Sequence, residues 1–234
     1  MPHGDFDVDR LAKYLHLGPQ QLVRLADRGK LPGRKVGGQW RFSKAEIHHW
    51  LEDRIGLSDE EELVQVESVL QGPAGASAES PISIADLLPV EAIAVPLPAR
   101  TRGSVIETMA ELAAQTGWLW EPAKLADAVR SREEMHSTAL ENGVALLHPR
   151  RPMVDMLDRA FIALGVTSSG IPFGAGAPLT DIFFLICSVE DRGHLRTLAR
   201  LSRLLTLPGF LDSLRTAAGA RAAHQLIVDA EDGL

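Results

Sequence analysis

The run Asp181-Ile182-Phe183-Phe184-Leu185-Ile186-Cys187 constrains the fold more than any other stretch of the chain. Its apolar residues are unbroken after Asp181 and leave no polar face for water, which is the pattern of a strand covered on both sides. Such a strand needs helices above and below it. Helical periodicity on either side supplies them. Ser104-Val105-Ile106-Glu107 reads as a capping box that introduces Met109, Leu112 and Ala113, with Gly117 closing the helix. Pro122 opens another, carrying Leu125, Ala128 and Val129 and ending near residues 131–133. Further strands are expected over residues 144–147 and 160–166, and further helices at about 191–205, 209–217 and 220–229. Helices before, strands within and helices after predict a layered α/β domain.

The first fifty residues follow a different pattern. Val8, Leu11, Ala12 and Leu15 share a helical spacing that Gly18-Pro19 interrupts. Pro19 suits the first position of a second helix with the stripe Leu22, Val23, Leu25, Ala26 and the stop Gly29. Two short helices joined by a tight turn form a helix-turn-helix. Residues 31–42 then place two β-like segments around Gly37-Gly38, a hairpin signal. Ser43 and Glu46 form a capping box before a helix through Ile47, Trp50 and Leu51.

Charge separates the two regions. The net charge of −7 argues against a molecule coated with nucleic acid, but residues 1–56 hold ten Lys/Arg against seven Asp/Glu, a net of +3. Residues 57–79 carry six acidic residues and no basic one, and the remainder carries −4. Only the first segment has the sign that phosphate backbones favour. Ser58 and the acids after it read as the N-cap and first turn of an acidic helix with the stripe Leu63, Val66, Val69 and Leu70. Residues 72–81, rich in Gly, Ala, Ser and Pro, read as a linker. The expected division is a helix-turn-helix domain over 1–56, the acidic helix and linker over 57–81, and the α/β domain over 82–234.

The composition, 45% hydrophobic and 24% charged, excludes a disordered or fibrous chain. No apolar run approaches membrane-spanning length and no secretory signal opens the sequence, so a soluble cytoplasmic protein without membrane insertion is expected. Cys187 is the single cysteine and can form no internal disulfide, as suits a reducing compartment. His48 and His49 are adjacent and would diverge by about 100° on a helix, and no cysteine pair exists, so neither a metal site nor a cofactor is expected.

The N-terminal segment resembles the excisionase-type helix-turn-helix family, relatives of the MerR DNA-binding head. The matching residues are the two helices, Lys30-Leu31-Pro32, Val36-Gly37-Gly38, Trp40-Arg41-Phe42 and Trp50-Leu51-Glu52. The resemblance implies that the second helix enters the major groove while the hairpin touches backbone or minor groove. By that analogy Gln20, Gln21, Arg24 and Arg28 are candidates for base or phosphate contact, and Arg34, Lys35, Gln39 and Arg41 for the wing. Gln and Arg pair bidentately with base edges, and Lys and Arg neutralise phosphates. Trp40, Phe42 and Trp50 are assigned to the small core. A head this small makes few contacts, so a second copy, as in a homodimer, or a partner is expected to help it bind.

In the α/β domain, Asn142–Pro152 (N-G-V-A-L-L-H-P-R-R-P) delivers His148 from an apolar strand into a turn with two arginines and two prolines. Together with residues 84–87 and 104–116, Val129–Glu133, Ser137-Thr138, the 181–189 strand and His194–Leu201, this stretch resembles enzyme IIA of the bacterial phosphoenolpyruvate:sugar phosphotransferase system (PTS), of the fructose/mannitol and nitrogen-regulatory type. The resemblance implies a three-layer α/β/α domain with a mixed sheet. It also implies phosphoryl transfer from a histidine phosphocarrier protein to His148, and onward to a IIB partner. His194 matches the family's second histidine, and Arg132 matches an arginine that contacts the phosphorylated state. A neutral imidazole is a competent nucleophile near neutral pH, and the dianionic phosphoryl group needs cations or donors. The family commonly has Pro before its histidine and a small residue after it, where this chain has Leu147 and Pro149. Pro149 offers no N–H, while Arg150 and Arg151 bring charge.

Three functions fit these features. One is a DNA-binding transcriptional regulator whose IIA-like domain senses or accepts phosphoryl groups on His148. The others are a PTS phosphocarrier whose head only localises it, and a non-phosphorylated IIA-like adaptor.

Overall fold

The computed structural model describes residues 5–15, 18–44, 46–47, 50–51, 82–174 and 178–234. The chain divides into two compact units, Met1–Pro81 and Ile82–Leu234. The expected acidic helix and linker, and His48 and His49, lie outside the described residues.

In the first unit, Asp7 caps α1 (Val8–Tyr14) by accepting from the Arg10 N–H at 2.8 Å, and Pro19 opens α2 (Pro19–Asp27). Leu11, Ala12, Leu22 and Ala26 from the two helices meet Leu31, Phe42, Ile47 and Leu51 in a core with little exposure. The hairpin joins β2 (Arg34–Val36) to β3 (Gln39–Ser43), with Val36 opposite Gln39. Gly37 and Gly38 both have positive φ, which a two-residue turn of this hand requires and a side chain would resist. Helical residues follow directly from Lys44, and the Trp50 indole N–H donates to the Lys30 carbonyl at 2.8 Å. The hairpin is wider than its sequence pattern indicates. A further strand, β1 (Asp5–Phe6), pairs with the other edge of β3 and gives the order β1-β3-β2. Two residues are too few to show alternation, so β1 has no sequence signature.

The second unit is mixed α/β with a four-stranded sheet of order β4-β6-β7-β5. Its strands are β4 (Ile93–Ala94), β5 (Val144–Leu147), β6 (Phe161–Ile171) and β7 (Thr180–Cys187). The β4–β6 and β5–β7 pairs are parallel and β6–β7 is antiparallel. Its helices are α3 (Ile84–Leu87), α4 (Arg102–Ala114), α5 (Pro122–Met135), α6 (Asp191–Leu205), α7 (Phe210–Arg215) and α8 (Ala220–Asp232).

Alternation along the strands sorts side chains to the two covering layers. Ala145, Leu147, Phe161, Ala163, Phe183, Leu185 and Cys187 pack with Val105, Met109, Leu112, Leu125 and Val129 of α4 and α5. Leu146, Ile162, Leu164, Ile182, Phe184 and Ile186 point the other way and are also buried. That face belongs to α3, α6 and α8, which touch β6, β7 and β4 respectively. Both faces of β7 are thus covered, as its unbroken apolar run predicts. Gly165 lets α4 approach the sheet, since a Cβ there would lie 2.6 Å from the Met109 sulfur and 2.8 Å from a Leu97 methyl.

Three local expectations need correction. Helix α4 begins at Arg102 rather than after Ser104, because Thr101 is its N-cap and Ser104 is the reciprocal partner. The hydroxyl-bearing pair Thr101/Ser104 forms the box one turn before the Ser104/Glu107 pair. Strand β6 runs on to Ile171 through a register shift after Val166, where the Thr167 hydroxyl bonds the carbonyls of Ser169 and Asp181 and carries the chain through polar residues. The two-residue β4 is an additional edge strand. No helix among the described residues is long and apolar enough to cross a membrane.

Candidate functional site

The carboxyl ends of the parallel neighbours β5 and β7 lie side by side, with Leu147 opposite Leu185. Leu147 and Cys187 face α4 and α5. The next residue on each strand, His148 and Ser188, therefore turns to the α6 side. His194 stands there in the opening turns of α6, which starts at Asp191. All three are buried, with 3%, 6% and 5% exposure respectively. The imidazoles of His148 and His194 are 5.0 Å apart between centroids and tilted by 56°.

Each imidazole is held by its Nδ1. His148 Nδ1 lies 2.8 Å from the Leu146 carbonyl oxygen. A carbonyl only accepts, so Nδ1 carries the proton and, in the neutral ring, the lone pair is on Nε2. That nitrogen is enclosed by protein atoms. His194 Nδ1 lies 3.0 Å from the Ser188 hydroxyl.

Beside this pair, the chain after α5 covers the outer edge of β5. Ala139 bridges Ala145, Leu146 N–H donates to the Thr138 carbonyl and Leu140 N–H to the Val144 carbonyl. Arg132, in the last turn of α5, is buried and donates to the His136 carbonyl at 2.6 Å. It therefore stands at the start of the segment that lines β5, while His148 and His194 are the two candidates brought ring to ring. Glu133 organises the same turn. Its carboxylate accepts from the Thr138 N–H (3.0 Å), the Thr138 hydroxyl, the Ser137 hydroxyl (3.3 Å) and the Arg102 guanidinium (3.3 Å). On the other side of His148, Pro149 is buried and Arg150 and Arg151 are exposed.

Sequence reasoning gave no site role to Ser188 or Glu133. Ser188 had one usable signal, its place immediately after a strand whose alternation turns it to the His148 side. The Glu133–Arg102 pairing joins residues 31 positions apart on different helices and leaves no local mark.

In the first unit, Gln20, Gln21, Arg24 and Arg28 are exposed along α2 and its C-cap, opposite the buried Leu22 and Ala26. Two of the hairpin candidates reach other elements of the unit, and the other two meet within β3. Arg34 pairs with Asp5 at 2.8 Å, and Lys35 pairs with Asp27 at 3.2 Å and lies over the Trp40 ring. Arg41 donates to the Gln39 side chain (3.1 Å) and the Trp40 carbonyl (3.2 Å).

A buried histidine at the carboxyl end of β5, facing a second on the first turns of α6, on a mixed sheet between helical layers, defines an α/β protein with an imidazole-based site. Residues 86–230 match the family model "Phosphoenolpyruvate-dependent sugar phosphotransferase system, EIIA 2", and the chain belongs to that family. Residues 6–55 match a second model, "Helix-turn-helix domain". The nitrogen regulatory protein of Bradyrhizobium diazoefficiens is 32% identical over 150 residues, covering 62% of this chain and 94% of that protein. Among solved structures, the nitrogen regulatory protein IIA-Ntr from Neisseria meningitidis shares the fold with a TM-score of 0.54 at 20% identity, over 62% of this chain and 98% of that one. A chain of the complex of enzyme IIAMTL and phosphorylated enzyme IIBMTL from Escherichia coli does so with a TM-score of 0.53 at 18% identity, over 61% of this chain and 99% of that one.

Proposed function

We propose that this chain is a PTS-linked transcriptional regulator whose N-terminal unit binds DNA and whose IIA unit accepts a phosphoryl group on Nε2 of His148. The observation that carries the second part is the Nδ1 tie of His148 to the Leu146 carbonyl, which puts the lone pair of the neutral ring on Nε2. In the transfer, the N–P bond of a donor phosphohistidine breaks as the Nε2–P bond forms, and the donor imidazole keeps the electron pair. The Leu146 carbonyl stabilises the positive charge that develops on the His148 ring. Arg132 and His194 are the groups assigned to the phosphoryl oxygens. Because Nε2 is enclosed, the side chains around it must yield before a donor can reach it.

Phosphorylation adds about one and a half to two negative charges next to Arg150 and Arg151. That change is the signal the regulator would report. Support for the DNA-binding half comes from the exposed Gln20, Gln21, Arg24 and Arg28 on α2 and from the helix-turn-helix match. The nitrogen regulatory naming of the matched relative makes a regulatory role the first choice over sugar uptake.

Incubation with phosphoenolpyruvate, enzyme I and the histidine phosphocarrier protein, followed by intact mass, tests the proposal. Wild type should gain one phosphoryl group and His148→Ala none. An equal gain in both would remove His148 from the mechanism. A second reading, a non-phosphorylated IIA-like adaptor, is favoured by the enclosed Nε2 and the buried Pro149, and no gain on wild type would select it. Passage of the group to a IIB partner, the phosphocarrier reading, would appear as loss of the label when such a protein is added.

A further inference from the structure

We propose that Ser188 is a positioning residue that holds His194 as its Nε2–H tautomer, so that His194 donates a hydrogen bond to the phosphoryl group carried by His148. The inference rests on the proposed phosphoryl transfer to His148. It starts from the 3.0 Å contact between the Ser188 hydroxyl and His194 Nδ1. Both residues are almost fully buried, so water competes little for either group.

A hydroxyl has one proton to place. Among the described residues, the partner found for the Ser188 hydroxyl is His194 Nδ1. If Nδ1 carried the ring proton, serine would accept and its own O–H would be left to donate elsewhere in the interior. A buried donor without an acceptor is unfavourable, whereas an O–H donated to the Nδ1 lone pair satisfies both atoms. Neutral His194 then carries its proton on Nε2.

The two histidines thus take complementary forms. His148 has its proton on Nδ1, fixed by the Leu146 carbonyl, and a lone pair on Nε2. His194 has its lone pair on Nδ1, fixed by Ser188, and a proton on Nε2. With the rings 5.0 Å apart, the nucleophile and the donor are adjacent groups with opposite hydrogen-bonding character. Were His194 held as the other tautomer, its Nε2 lone pair would face phosphoryl oxygens as charge builds on them. Ser188 touches neither the phosphoryl donor nor phosphorus, and acts through His194.

Long-range 1H–15N NMR of the full chain reads the tautomer directly. Wild-type His194 is expected to show a protonated Nε2 and an unprotonated Nδ1. In Ser188→Ala that signature should shift towards exchange between tautomers, and the rate of phosphorylation by the phosphorylated carrier protein should fall about tenfold or more, as when an orienting partner is lost. Ser188→Thr keeps the hydroxyl and should restore both. An Nδ1-protonated His194 in wild type overturns the proposal without any variant. So does a Ser188→Ala protein with wild-type tautomer and rate. If wild type shows the expected tautomer but takes no phosphoryl group, it is the phosphoryl-transfer reading that fails, and the positioning role of Ser188 falls with it.

Discussion

Nδ1 of His148 is bonded to the carbonyl of Leu146, two residues back on the same chain, at 2.8 Å. The tie is local, so the strand end that presents the imidazole also sets its proton. It needs no partner from another element, and the ring orientation follows from the β5 backbone. What the site gains from elsewhere is the facing imidazole of His194 and the turn that Glu133 organises.

Glu133 should matter more for stability than its place on a helix suggests. Its buried carboxylate satisfies the Thr138 N–H and hydroxyl and pairs with Arg102, so Glu133→Ala leaves buried donors and a cation without their acceptor. A loss of about 3 kcal/mol is expected by chemical denaturation, against about 1 kcal/mol for Thr138→Ala. Equal losses would show that Glu133 acts only through Thr138.

Gly143, the residue before β5, holds a left-handed conformation, φ +84°, in which a side chain is strained. A Cβ would lie 2.9 Å from the Arg215 guanidinium, which also donates to the Asn142 carbonyl and pairs with Asp181. The Asp181 hydrogen bond raises the pKa of that guanidinium still further above its usual value. Gly143→Ala should cost roughly 1–3 kcal/mol, read from the shift in unfolding midpoint.

Cys187 is buried on the α4/α5 face of the sheet, and burial pushes its thiol pKa far up. The native thiol should resist alkylation at mildly alkaline pH and react on unfolding. The sign of the linked effect follows. The unfolded thiol ionises above roughly pH 8.5 while the folded one stays protonated, so folding loses stability as pH rises past that point. Cys187→Val should flatten this part of the stability profile. An unchanged slope would assign the alkaline loss to other groups.

In the N-terminal unit, Lys35 is paired with Asp27, so Asp27→Asn should strengthen DNA binding by releasing a wing cation for phosphate. Arg24→Ala should weaken it and lower the slope of log affinity against log salt by about 0.9 if Arg24 contacts one phosphate. Filter binding or fluorescence anisotropy on genomic fragments at several salt concentrations measures both. Unchanged affinity and slope for Arg24→Ala would remove α2 from the interface.

Much of the fold was legible because its strongest elements advertise themselves. The unbroken apolar run of β7 demanded cover on both faces, and α4 and α5 on one side with α6 on the other provide it. Helix α6 runs over residues 191–205 as its periodicity indicates, and Gly37-Gly38 marks the hairpin turn. Elements set by distant contacts were not legible. Strand β4 has two residues and exists because β6 offers an edge. Glu231, near the end of α8, accepts from the backbone N–H groups of Ile84 and Ala85 and so fixes α3 from almost 150 residues away. His148 and His194 could be nominated from sequence, but the Ser188 contact depends on how two strand ends and a helix start converge.

The proposed mechanism stands or falls on Nε2 of His148 as the phosphoryl acceptor. Long-range 1H–15N NMR of the full chain, recorded after incubation with phosphorylated carrier protein, locates the phosphorus atom by atom. A phosphohistidine at residue 148 is expected, with phosphorus on Nε2 and the proton retained on Nδ1. Phosphorus on Nδ1, on another histidine, or on no residue of the chain would contradict the mechanism.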